Sequence, residues 1–186
     1  DADSFEVVNG QLKLKDSVTA DYETQSSYSV TVTATDSGSL TTTEDFTVNV
    51  NNLNDAPTVP NAIADQNVDE DSALSFTVPA DTFNDVDAND TLTYTATLSD
   101  GSALPSWLSF DAATQTFSGT PLNGDVGAIN VTVTATDGSA TTVSDTFTIT
   151  VANTNDAPTA VALSSLGLPE KIDGAVVGTL TTTDVD

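Results

Sequence analysis

Val30-Thr31-Val32-Thr33-Ala34-Thr35-Asp36 is written a second time, unchanged, as Val131-Thr132-Val133-Thr134-Ala135-Thr136-Asp137. Strict alternation of apolar and hydroxyl residues sends the two sets of side chains to opposite faces of an extended strand, so each heptapeptide reads as a half-buried β-strand. Downstream of each copy lies a second alternating run, Phe46-Thr47-Val48-Asn49-Val50 and Phe147-Thr148-Ile149-Thr150-Val151. Each run feeds the same kind of linker: Asn52-Leu53-Asn54-Asp55-Ala56-Pro57-Thr58, then Asn153-Thr154-Asn155-Asp156-Ala157-Pro158-Thr159. The three pairs share one offset, 131 − 30 = 101 residues, with no gap between them. A fixed period of this kind marks a tandem array of modules, and the chain reads as a cut from such an array.

The rest of the sequence is strand-like as well. Phe5-Glu6-Val7-Val8, Asn9-Gly10 and Gln11-Leu12-Lys13-Leu14 carry the pattern of a hairpin, since Asn-Gly readily takes the two left-handed positions of a tight turn. Tyr28, Val30, Val32 and Ala34 are expected on a buried face, and so are Phe46, Val48 and Val50. Further apolar-alternating runs lie at 74–78, 92–95, 129–135 and 147–151, separated by Gly, Pro, Asn and Asp, and no stretch has a helical period. The fold class that follows is all-β, with tandem Greek-key β-sandwich modules. The expected boundaries are the C-terminal half of a module at 1–52, a complete sandwich at 53–158, and the N-terminal half of a following module at 159–186.

Charge excludes several functions. The chain holds 3 basic against 28 acidic side chains, a net charge of −25. Phosphate neutralisation, and with it nucleic-acid binding, is excluded, as is attraction to anionic lipid. No apolar run has membrane-spanning length. There is no Cys, His or Met, so disulfides, thiolate chemistry and imidazole-bound zinc are absent. Clustered Asp and Asn suit a hard divalent cation that takes oxygen ligands, and alternate residues of an extended Asp-x-Asp present two carboxylates on one side. The plainer reading is that Asn-Asp and Asp-x-Asp form ordinary turns and that the acid keeps the chain soluble. Recurrence of the acids at the same places in each module favours the cation.

The central stretch Leu104-Pro105-Ser106-Trp107-Leu108-Ser109-Phe110-Asp111, with Phe117-Ser118-Gly119-Thr120-Pro121 and residues 131–138, resembles the dystroglycan-type cadherin-like domains of bacterial surface proteins. The flanking pieces, 5–15 with Asp21-Tyr22-Glu23 and 168–186, resemble halves of ordinary bacterial cadherin-like repeats with their immunoglobulin-like sandwich fold. Such arrays are similar to parts of large calcium-dependent RTX adhesins, ice-binding adhesins of marine bacteria among them. The resemblance implies Ca2+ at the joints between modules. At the first joint it implies Asp21 and Glu23, then Asn52, Asn54 and Asp55 of the linker, with Asp85, Asp87 and Asp137. At the second it implies Asp69 or Glu70, then Asn153, Asn155 and Asp156, with Asp184 and Asp186. Asp36 and Glu170 would serve outer joints. Two departures stand out. Asn52 and Asn153 replace the family's usual Asp, and Leu122-Asn123-Gly124-Asp125 stands where the first module has Asp21-Tyr22-Glu23, so the second joint is expected to hold calcium more weakly or to hold fewer ions.

Other residues have plainer structural readings. Trp107 could stack on a sugar ring, but its apolar neighbours favour a core position. Carboxylate pairs such as Asp69 with Asp71 could serve glycoside hydrolysis, yet no His, Cys or Arg stands ready to position a substrate, and no enzyme is expected. The outward threonines are expected to form a solvated face. The two end pieces are complementary halves, and pairing between neighbouring molecules or an inserted domain in the parent chain would complete them. The resulting expectation is a non-catalytic, calcium-binding structural segment of a secreted bacterial cell-surface adhesin whose partners are neighbouring modules. A carbohydrate-binding module contacting glycans, alone or as accessory to an extracellular hydrolase, is the alternative.

Overall fold

A computed structural model describes residues 1–88, 90–167, 170, 173–174 and 176–184. Its elements are β1 (Phe5–Val8), β2 (Gln11–Leu14), β3 (Ser27–Thr35), β4 (Thr41–Asn49), β5 (Gln66–Asp69), β6 (Leu74–Thr77), β7 (Thr93–Leu98), β8 (Leu108–Asp111), β9 (Thr116–Gly119), β10 (Gly127–Thr136), β11 (Thr142–Ala152), β12 (Ala160–Leu163) and β13 (Leu180–Thr183), with 3-10 turns at Ala2–Ser4 and Asn123–Asp125. The chain forms two compact units. The first is Asp1–Ala56 with Asp85–Asp90; the second is Pro57–Asn84 with Thr91–Asp186.

In the first unit β1 and β2 form the antiparallel hairpin that Asn9-Gly10 predicts, with φ of 51° and 77° at its two turn residues. Both angles are left-handed, which Gly takes without cost and Asn tolerates. β3 and β4 pair antiparallel along nine residues. Phe5 meets Tyr28 edge to face, 5.4 Å between ring centroids, and Tyr28 and Val30 are buried. Burial then fades along the face expected to be covered. Phe46, opposite Val30, is 48% exposed. Its counterpart Phe147, opposite Val131 in the same register, is 2% exposed beneath Phe76 and Phe117, at 5.7 and 5.6 Å. The difference is cover. Phe76 and Phe117 lie on β6 and β9 of the second unit, while the first unit offers, among its described strands, only the β1–β2 hairpin as a second layer.

The second unit is a β-sandwich. One sheet has the order β5-β11-β10-β7, the other β6-β9-β8, and β12 pairs separately with β13. β5 lies parallel to β11; the other neighbours are antiparallel. Alternate residues of the long strands point inward, so Val131, Val133, Phe147 and Ile149 meet Phe117 from the opposing sheet in one apolar cluster. Trp107, with Leu104 and Phe110, packs partly buried against that cluster, which is the core position expected of it. On the other face hydroxyls bond across the strands, Thr132 with Thr146 and Thr134 with Ser144, each at 2.8 Å. Such cross-strand hydroxyl pairs are part of what stabilises a solvated sheet face.

Two positions in the second unit test this packing. A Cβ placed on Gly119 would lie 1.9 Å from the Trp107 carbonyl oxygen, where β9 runs beside Leu108. Gly119→Ala is expected to part β8 from β9 and lower stability by about 3 kcal/mol, read by urea unfolding. Thr82 is 0% exposed and its hydroxyl finds no partner among the described residues. The nearly isosteric Thr82→Val is expected to raise stability by about 1 kcal/mol in the same measurement.

Candidate metal centre

Asp21 opens the first element of the site. Its Oδ1 accepts the N–H groups of Glu23 and Thr24, at 3.0 and 3.2 Å, and its Oδ2 accepts the Thr24 hydroxyl at 2.8 Å. This is the local side-chain turn that Asp forms readily, and it fixes the backbone that carries Glu23. The Thr24 hydroxyl, then the Thr24 N–H, hold the Asp21 carboxyl below its ordinary value.

The linker supplies the second element and the segment 85–90 the third. Asn52 donates its side-chain amide to Asp87 Oδ1, and the Asp55 N–H donates to Asp87 Oδ2, both at 2.9 Å. Asp87 itself is 8% exposed, and its own N–H is held by Asp85 Oδ1. The result is two overlapping groups of carboxylates. Glu23, Asp55 and Asp87 form one, and Asp85, Asp87 and Asp90 the other, with the oxygens of each group within 4.8 Å of one another. Asp87 belongs to both. Loss of water around the Glu23 carboxyl, and then the charges of Asp87 and Asp55, push it above the ordinary glutamate range. Asp85 and Asp90 each keep a buried Oδ2 with no hydrogen-bond donor among the described residues.

The second linker has its own arrangement in the second unit. Glu70 follows β5 and is 1% exposed. Its N–H donates to the Ala152 carbonyl at 3.0 Å, and its Oε1 accepts the Thr154 N–H at 2.8 Å. Its Oε2 is buried and meets no donor among the described residues. Asn155 donates its amide to the Asp156 carbonyl just as Asn54 does to that of Asp55. The repeat extends further than the linker. Thr58 bonds by its N–H and hydroxyl to the Asn84 carbonyl, and Thr159 does the same with Thr183, so Asp85-Val86-Asp87 and Asp184-Val185-Asp186 follow equivalent points.

The sequence-implied ligands therefore separate into groups. Glu23, Asp55, Asp85 and Asp87 come together, with Asn52 bonded to Asp87 and Asp21 positioning Glu23. Of the pair Asp69 and Glu70, it is Glu70 that turns inward and Asp69 that stays exposed. Asp36 and Asp137 serve as turn-formers. Each accepts two N–H groups of its own hairpin loop through Oδ1, Asp36 from Gly38 and Leu40, Asp137 from Ser139 and Thr141, and Asp137 Oδ2 also takes the Thr141 hydroxyl. Asn153, Glu170 and Asp184 are exposed, and Asp186 lies outside the described residues. Asp90 was not expected, although its place three residues after Asp87 was a readable signal.

The donors fit a hard cation. They are carboxylate and amide oxygens, three of them buried with no proton donor among the described residues, and a chain without Cys or His offers no thiolate or imidazole. A polar atom left in that state is costly unless a ligand completes it.

The model of a family described as a putative Ig domain matches residues 56–152. The chain belongs to this putative Ig domain family. Among curated proteins, a "serine-rich adhesin for platelets" of Staphylococcus aureus strain MRSA252 is 36% identical over 118 residues, which is 63% of this chain and 8% of that protein. The same adhesin in strain MSSA476 matches equally over 5% of its length. The Ig-domain chain thus spans a small fraction of these relatives. Among solved structures, human CDH23 EC21-23 superposes with a TM-score of 0.69 at 22% identity, covering 99% of this chain and 62% of that one. Extracellular cadherin domains 1–4 of protocadherin gamma B7 give 0.66 at 22%, covering 98% and 47%. The fold is Ig-like and cadherin-like. No helix among the described residues is long and apolar enough to cross a membrane.

The turn at Asp21 sets a measurable titration. Thr24→Ala is expected to raise the Asp21 midpoint towards the ordinary value of 3.8, followed by carboxyl NMR. Because the folded value lies below the unfolded one, the Thr24 contacts stabilise the fold above the unfolded pKa, and that contribution is lost as pH falls through the folded value. The variant should therefore show a smaller loss of stability across that acidic window than the parent.

Proposed function

We propose that the chain is a non-catalytic, calcium-braced structural segment of a bacterial surface adhesin. The observation that carries the reading is the double carboxylate group around buried Asp87. Five carboxylates from three separate stretches form two overlapping groups that share Asp87: Glu23, Asp55 and Asp87, and Asp85, Asp87 and Asp90. Close like charges repel strongly, so a cation is the natural complement. Ca2+ accepts six to eight oxygens in loose geometry and suits such a set better than Mg2+, which demands a near-ideal octahedron. The proposed ligands are Glu23, Asp55, Asp85, Asp87 and Asp90, with Glu70 anchoring a second ion in company with linker residues Asn153, Asn155 and Asp156 and with Asp184.

Calcium here would draw the linker 52–55 against the Asp21–Glu23 turn and the 85–90 segment, and so remove freedom from the chain where one module gives way to the next. The adhesin relatives support a surface role. The motifs at 104–121 support the finer affiliation, to the dystroglycan-type modules of RTX-type adhesins. Trp107 packs on the core, which leaves the carbohydrate-binding reading without its expected platform.

Extracellular modules bind calcium with dissociation constants on the order of 10⁻⁴ to 10⁻³ M. At ten to a hundred times that concentration each ion is expected to stabilise the chain by about 1.4 to 2.7 kcal/mol. Thermal unfolding in chelator and in millimolar Ca2+ checks this. A melting temperature raised by Ca2+, unchanged by an equal ionic strength of NaCl, supports the reading; identical transitions in chelator and Ca2+ defeat it.

A further inference from the structure

We propose that Asp65 and Asp145 form a crossed lock through which the sandwich of the second unit resists a pull along the chain. The inference goes beyond the calcium reading, and its test separates the two. The chain enters the sandwich through the segment 57–65 and leaves it after β11, which ends at Ala152. β5 and β11 lie side by side and parallel, with Gln66 opposite Ile149 and Asp69 opposite Ala152. A pull on the two ends of this stretch draws β5 backward and β11 forward, so one strand slides along the other. The evenly spaced bonds of a parallel pair then share the load and must break together, whereas peeling would break them one at a time.

Four paired residues make a short seam, and two carboxylates lengthen it. Upstream of Gln66 the Asp65 Oδ1 accepts the N–H of Thr148, on β11, at 2.7 Å. In the opposite direction Asp145, also on β11, accepts the N–H of Ile63 through its Oδ2 at 2.6 Å. Each segment thus supplies a carboxylate to the backbone of the other. Bonds to an ionised acceptor are shorter and stronger than those between neutral groups. Ile63 is 5% exposed and belongs to the same apolar cluster as Ile149, so the entering segment is anchored in the core where the lock begins. At the far end the Glu70 N–H donates to the Ala152 carbonyl at 3.0 Å. The seam therefore runs from Ile63 to Glu70, well beyond the strand pairing itself. The sheet β6-β9-β8 lies outside this path, and load reaches it only after β5 has slipped.

The test is single-molecule stretching of the full chain held by its two termini, in millimolar Ca2+ and again in chelator. Unfolding of the sandwich is recognised by a gain in length of about 300 Å, the extended span of 57–152 less its folded length. Forced unfolding follows the rate of crossing the barrier, so contacts that break at the barrier speed it when removed, and contacts still intact there do not. Asp65→Ala and Asp145→Ala are each expected to speed unfolding at a fixed force by about tenfold in both solutions. Asp65 is exposed, so its removal leaves the core packing untouched. Asp65→Asn, which keeps an oxygen at the same place, is expected to fall between Asp65→Ala and the parent chain. Leu108→Ala, in β8, is expected to lower stability in urea yet leave the rate under force within about twofold of the parent.

If both alanine variants unfold under force at the parent rate, the lock is overturned. It is overturned as well if they speed unfolding no more than Leu108→Ala does, because Asp65 and Asp145 are then ordinary stabilising contacts. If calcium alone changes the rate and the variants match the parent, the lock falls and the calcium reading stands. If the variants act equally in chelator and in Ca2+ while calcium leaves the melting temperature unchanged, the lock stands and the calcium reading falls.

Discussion

The buried carboxylate of Asp87 is the constraint around which the acidic groups of the first unit are arranged. Two donors, the Asn52 side chain and the Asp55 N–H, reach it from the linker, and Asp85 secures its backbone. Those bonds do not balance the charge, because Glu23, Asp55, Asp85 and Asp90 crowd the same small volume. Opposed charges inside a protein interact far more strongly than in water, and so do like charges. A fold that places such groups together stores repulsion unless a counter-charge arrives. The Glu23 carboxyl is displaced upward first by lost water, with the charges of Asp87 and Asp55 adding to it.

The strand pairing decides where the turns and linkers that carry these acids lie. β11 ends at Ala152, whose carbonyl receives the Glu70 N–H, so the parallel β5–β11 pairing delivers Glu70 to the start of the second linker. Asp36 and Asp137, which the resemblance implied as ligands, each accept N–H groups of their own hairpin loops. The same residue type thus does two jobs. Where the backbone N–H groups of a tight turn are close by, Asp closes the turn; where they are absent, its oxygens stay open for another partner.

The comparison of Phe46 with Phe147 shows how far a repeat carries and where it stops. The two residues lie in similar alternating runs, at the same register and opposite equivalent valines, yet one is half exposed and the other buried. The difference lies in β6 and β9, strands distant in sequence whose aromatic rings cover Phe147. Burial belongs to the layers that meet, not to the strand that supplies the residue.

The sequence by itself determined the strands, the Asn9-Gly10 hairpin, the period and the β-sandwich class, because alternation and turn chemistry are local and act through the residues that carry them. Of the acids that gather, Asp55 recurs in the repeat as Asp156 and Asp85-Val86-Asp87 as Asp184-Val185-Asp186, whereas Glu23 was implied by the family resemblance alone. The sequence did not mark Asp90, nor choose Glu70 over Asp69. Those were decided by tertiary structure, for a physical reason. Which of two neighbouring carboxylates turns inward depends on the parity of a strand against its partner, and which acids crowd Asp87 depends on how loops far apart in sequence fold together. Charge, hydroxyl and apolar character can be read along a chain, whereas an oxygen left buried and without a donor exists only once the chain has folded around it.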